Sequence, residues 1–188
     1  MTKRGLWRMV AALGFGLAAS GSWAGQVLAP EQSEITFAGQ QMGVPAEGRF
    51  QKFSVEAALD PAAIEKSTAR IVIDMNSVTL PAPDFTTEVK RKRWFDTARF
   101  PETVFEARQF RALGADRYEV SGTLTLKGVS RDLTAPLTLR TEGQDLVANG
   151  QFELKRLDFN VGDGQWADTD TVANEVRIKF KLRLKPES

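Results

Sequence analysis

From Val176 to Leu184 the chain alternates without a break. Val176, Ile178, Phe180, Leu182 and Leu184 are apolar, and the residues between them, Arg177, Lys179, Lys181 and Arg183, are cationic. Successive residues of a strand point to opposite faces, so this spacing sets one apolar face against one charged face. A helix would scatter the same cations around its circumference.

The period of two recurs along the chain. Ile35 and Phe37 carry it first, then Phe53, Val55, Ala57 and Leu59, then Ile71, Ile73 and Met75. Val104 to Phe110 reads as one or two short strands, and Tyr118 to Lys127 as a longer one with Val120, Leu124 and Leu126 apolar. Leu133, Leu137 and Leu139 follow, then Leu146, Ala148, Phe152 and Leu154. About eight strands result, each with one apolar face, joined by turn signals such as Lys127-Gly128 and Glu142-Gly143. Two segments read as helical: Pro61 to Lys66 with Asp60 as N-cap, and Asp84 to Trp94 entered after Pro83 with Asp84 as N-cap. The fold class is all-β and antiparallel. Periodicity leaves a sandwich and a closed barrel both open, and about eight strands is the number at which a barrel is either filled by side chains or holds one small ligand.

The chain has no cysteine and no histidine. That excludes disulfides, thiolate nucleophiles, Cys-held clusters, His/Cys zinc sites and triads with a histidine base. No Gly-x-Ser-x-Gly elbow, Ser-x-x-Lys pair or Gly-Lys-Ser/Thr phosphate loop is present.

Residues 1–24 read as a secretory signal peptide. Lys3, Arg4 and Arg8 precede the apolar run Met9–Ala19, and Ser22 and Ala24 occupy the −3 and −1 positions of a cut after Ala24. An apolar run of that length rises roughly 16 Å as helix, short of the ~30 Å hydrocarbon core. The expected mature domain is 25–188, in the periplasm. The signal takes three of the 25 basic residues, leaving 22 against 24 acidic ones and a net charge of −2. A nucleic-acid partner then has no electrostatic basis.

Three local patterns invite chemistry. Gly162-Asp163-Gly164-Gln165-Trp166-Ala167 matches Gly-x-Gly-x-x-Ala, but a strand rather than a helix is expected after it, so it reads as a tight inter-strand loop. Asp163, Asp168, Asp170 and Glu175 lack the ligand spacing of a calcium loop and read as side chains bonding local backbone. Lys90-Arg91-Lys92-Arg93 before Trp94-Phe95 reads first as a solvated face, and second as a contact for an anionic membrane surface.

Several stretches, in order, resemble the YceI-like family of polyisoprenoid-binding proteins. They are Ser33–Phe37 with Glu47–Phe50, Trp94-Phe95-Asp96 with Phe100–Phe105, Val120–Ser130, and Phe152–Phe159 with the loop that follows. Asn160 departs from the pattern, which commonly has glycine there. The resemblance implies an eight-stranded, lipocalin-like antiparallel barrel with one or two short helices. Its interior would hold an isoprenoid lipid ligand, a polyprenyl lipid or quinone, with no other cofactor and no metal. Lining residues would be Phe37, Phe50, Phe53, Val55, Ile71, Ile73, Phe105, Leu124, Leu126 and Phe152, with Trp94 and Phe95 at the mouth and Arg49 or Arg156 meeting a polar head. The expected role is carrier or reservoir, not enzyme; a homodimer is left open. The competing readings are an enzyme on a lipophilic substrate using Asp or Arg side chains, favoured by an interior carboxylate such as Asp158, and a filled structural sandwich.

Overall fold

The computed structural model describes residues 25–187, so the expected signal peptide, residues 1–24, lies outside the described residues. Eleven strands form among them: β1 Gln26–Leu28, β2 Glu34–Gln41, β3 Val44–Phe50, β4 Phe53–Ala58, β5 Thr68–Asp74, β6 Val78–Thr79, β7 Glu102–Gly114, β8 Arg117–Leu126, β9 Val129–Glu142, β10 Asp145–Lys155 and β11 Glu175–Pro186. One α-helix, α1, spans Pro83–Val89.

The eight expected strands become eleven because three staves are each broken once. β1 and β2 run one after the other along β11, with Leu28 opposite Leu184 and Ile35 opposite Phe180. β3 and β4 run back along that stave, pairing with β2 and β1 respectively. β6 and β5 pair in turn with β3 and β4. From β5 the ladder continues through β7, β8, β9 and β10 to β11, each antiparallel to the last. β1 bonds both β4 and β11, which closes the ring. The fold is an eight-stranded, lipocalin-like antiparallel barrel with extra strands, and the continuous ring excludes the sandwich.

The breaks are bonded to their neighbours. A 3₁₀ turn, Pro30–Gln32, separates β1 from β2, and Ser33 Oγ beside it donates to Ala29 O at 2.8 Å and accepts from Arg183 N at 2.9 Å. The break at Gln51–Lys52 faces the 3₁₀ turn Met75–Ser77, where Ser77 Oγ accepts from Lys52 N at 3.0 Å. Beyond these breaks β6 is the last strand of the sheet's free arm, and the barrel opens there.

Neither helix forms as expected. Pro61–Lys66 yields only a 3₁₀ turn, Ile64–Lys66, and Asp60 Oδ1 instead accepts the Ala62 N–H at 2.9 Å. The longer helix ends at Val89, with Ala82 rather than Asp84 at its N-cap and Pro83 in its first turn. Trp94 and Phe95 are drawn onto the barrel interior, and the chain turns to deliver them: Phe95 N donates to Val89 O at 2.9 Å and Thr97 N to Lys90 O at 3.1 Å. Asn160 is left-handed, with φ +55° and ψ +28°. That conformation suits glycine or asparagine, so the departure from the family pattern preserves the turn.

Candidate ligand-binding cavity

The inward faces of the staves do not meet at the barrel axis. They enclose two apolar chambers, of about 250 Å³ at the open end and about 120 Å³ below it. Ile35, Ile73, Leu124, Phe152 and Ile178 border both and form a waist between them.

The upper chamber takes Phe37, Phe50, Leu126, Trp94 and Phe95 from the expected set. Phe37, Phe50 and Phe95 form an aromatic cluster with ring centroids 5.4 to 6.3 Å apart. The lower chamber takes Val55, Ile71 and Phe105, and the waist takes Ile73, Leu124 and Phe152. Phe53 borders neither. It lies at the break after β3, in a surface cleft with Pro30, Ser33 and Lys52.

Ile178 and Phe180 were legible in the β11 alternation yet absent from the expected lining. Trp166 had no such signal. It sits in the aperiodic 3₁₀ turn Gly164–Ala167, and long-range folding alone brings its indole to 5.6 Å from that of Trp94.

Arg156 holds this end together. Its Nε donates to Ala173 O at 3.0 Å, Nη1 to Val161 O and Gly162 O at 2.9 and 2.7 Å, and Nη2 to Trp166 O and Val172 O at 2.6 and 2.7 Å. All five guanidinium donors are thereby used. The group is 3 % exposed, lies 5.8 Å from the Trp94 ring, and makes no carboxylate ion pair among the described residues. Burial without a counter-charge pulls its pKa below the ordinary arginine value. Arg156 is therefore a clamp on the loop 161–173, not a free head-binding group. Arg49 is exposed on the outer face of β3 and reaches neither chamber.

Polar side chains are confined to the upper chamber, where Gln40, Gln41, Glu88, Thr103 and Arg156 line the wall. Trp94 Nε1, Trp166 Nε1 and Thr103 Oγ1 are buried there without a hydrogen-bond partner among the described residues. Glu88 is the carboxylate on this wall, and Arg91 pairs with it at 2.8 Å. Asp158, the carboxylate singled out for an enzymatic reading, is exposed and borders neither chamber. Asp168 bonds locally, accepting from Thr171 Oγ1 at 2.6 Å and Asp170 N at 3.1 Å. The Thr171 hydroxyl and then the Asp170 N–H hold its carboxyl below the usual range. Arg91, Lys92 and Arg93 are exposed beside the mouth.

The sequence pattern of the YceI-like domain matches residues 27–184, the whole barrel from β1 to β11. The chain belongs to the YceI-like family. A UPF0312 protein of Yersinia pestis is 30% identical to this YceI-like chain over 122 residues, and one of Yersinia enterocolitica is 28% identical. Each alignment covers 61% of this chain and 62% of the relative's length. The crystal structure of Burkholderia cenocepacia BcnA is similar with a TM-score of 0.81 and 36% identity, over 83% of this chain and 98% of that one. A polyisoprenoid binding domain from Saccharophagus degradans, implicated in plant cell wall breakdown, shares the YceI-like fold at TM-score 0.68 and 17% identity, over 86% and 98%.

Proposed function

We propose that the barrel binds an isoprenoid lipid, a polyprenyl lipid or isoprenoid quinone, along the two chambers, and serves as a periplasmic carrier or reservoir without catalysing a reaction. The observation that carries this reading is the interior itself: apolar at both levels, narrowed at an apolar waist, and polar only at its open end. Each buried methylene contributes about 0.8 kcal/mol, so ten supply roughly 8 kcal/mol before ordering costs, with no charged constellation needed. The description of the Saccharophagus degradans domain supports the ligand class. The tail lies in the lower chamber and the head beside Trp94 and Trp166. Loading takes place at an anionic bilayer, supported by the exposed Arg91, Lys92 and Arg93 and by Phe85, half of which faces solvent at the chamber rim.

Lipid extraction and mass spectrometry of protein from a native-like host are expected to yield an isoprenoid. Trp94 and Trp166 are the only tryptophans after residue 24, so fluorescence reports on this chamber alone. Titrating a delipidated sample with an isoprenoid quinone is expected to quench it saturably. The absence of a co-purified isoprenoid, together with no quenching by quinone and no displacement by a polyprenol, would defeat the proposal.

A further inference from the structure

Inside the barrel, phenylalanine rings lie over glycines of the neighbouring strand. Phe37 of β2 stands opposite Gly48 of β3, and Phe180 of β11 stands opposite Gly150 of β10. Directly opposed residues point to the same face. A larger residue at either glycine would therefore compete with the ring for the same space. A Cβ on Gly48 would stand 2.7 Å from Phe37 Cε1, and one on Gly150 2.7 Å from Phe180 Cε1. Carbon atoms rest about 3.5–4.0 Å apart, so neither ring could stay where it is. Phe105 of β7, diagonal to Gly122 of β8, also leans over its glycine, with Cζ 2.8 Å from where a Cβ would be.

Each ring is reclined along the wall because its partner has no side chain. Phe37 bounds the upper chamber and Phe180 the lower. Around Phe37, the rings of Phe50 and Phe95 already fill the flanks. A displaced ring can swing into the upper chamber, which it already borders, or toward the outer cleft lined by Gly48 and Thr79, and the prenol test below separates the two.

We infer that Gly48 and Gly150 gauge the cavity: by laying down Phe37 and Phe180 they set its width above the waist and its depth below, and so the isoprenoid chain length accepted. This rests on the ligand class proposed above. The two glycines differ as test positions. A Cβ on Gly150 would also press on Pro136 O at 2.6 Å, whereas the three nearest atoms to one on Gly48 all belong to the Phe37 ring. Gly48→Ala is therefore the cleaner change, moving a side chain and not the backbone.

The test is displacement of a fluorescent apolar probe from delipidated protein by geraniol, farnesol, geranylgeraniol and a longer polyprenol. Overpacking of ordinary size predicts that Gly48→Ala weakens the longer prenols by roughly tenfold or more. Adding Phe37→Leu to that variant restores them to near the wild-type value. Phe180→Leu, with Gly150 kept, moves the preferred chain length upward. Circular dichroism verifies the fold of each variant; if Gly48→Ala does not fold, the Phe180→Leu shift decides. The inference fails if folded Gly48→Ala binds like wild type, if Phe37→Leu does not rescue it, or if Phe180→Leu leaves the length preference unchanged. Wild-type protein that binds no prenol at all removes the ligand class, and the gauge with it.

Discussion

Arg156 shows how far a single residue's role depends on groups distant in sequence. A lone arginine near a family motif suggests recognition of a polar head, and nothing local contradicts that. The structure turns it inward, where carbonyls from residues 161 to 173 converge on its fork. Which carbonyls converge is set by the path of an aperiodic loop, and periodicity carries no information about such a path. Lysine has three donors and no planar fork, so Arg156→Lys leaves buried carbonyls unpaired. A destabilisation of about 3 kcal/mol is expected, read from the midpoint of urea unfolding. At the waist, Leu124 is 8 % exposed and borders both chambers. Leu124→Arg puts a charge where a ligand chain has to pass, and folded variant protein should carry no co-purified lipid. Undiminished lipid content in that protein would remove Leu124 from the ligand's path.

At the scale of elements, alternation was legible wherever a stave had one wet face and one dry one. Eight staves were counted because eight exist. The short pieces were missed for a physical reason: β1 has three residues, and β3 carries Pro45 and Gly48 with an exposed Val44, so neither displays a clean period of two. Eleven of the twelve expected lining and mouth residues border a chamber, because those on a strand share one phase of the alternation and one residue of slip would turn all of a strand's members outward. Phe53 shares the inward face with Ile73 and packs on the core, but it stands at the break where its strand begins, outside the walls of both chambers. The helix was overextended because Lys90–Arg93 favours helix locally, while Trp94 and Phe95 gain more by packing on the cavity. A helix as short as α1 is marginal by itself. Thr86 Oγ1 anchors it by accepting from Leu80 N at 2.8 Å. Thr86→Val should cost about 1 kcal/mol and loosen the rim, accelerating ligand release in stopped-flow tryptophan fluorescence.

For the whole molecule, closure depends on a very small element. β1 offers three residues to β11 and two to β4, and Gln26 extends the second seam with its side chain. Its amide accepts from Leu59 N at 2.8 Å and donates to Leu59 O at 3.1 Å, imitating one more backbone pair in a buried position. Gln26→Ala leaves both Leu59 groups without partners. It is expected to destabilise the barrel by about 2 kcal/mol, seen as a lower thermal midpoint with the far-UV spectrum unchanged.

That closing seam also governs the order of events in time. Gln26 pairs with Pro186, so the contact that completes the ring joins residues almost a full chain length apart. Such contacts form late and slow folding, because a long loop loses its freedom before the contact repays it. No partly made chain can finish this fold, since its last strand is the first strand's partner. Until then the inward faces stay uncovered, and the lumen can enclose nothing before the two ends of the chain have met.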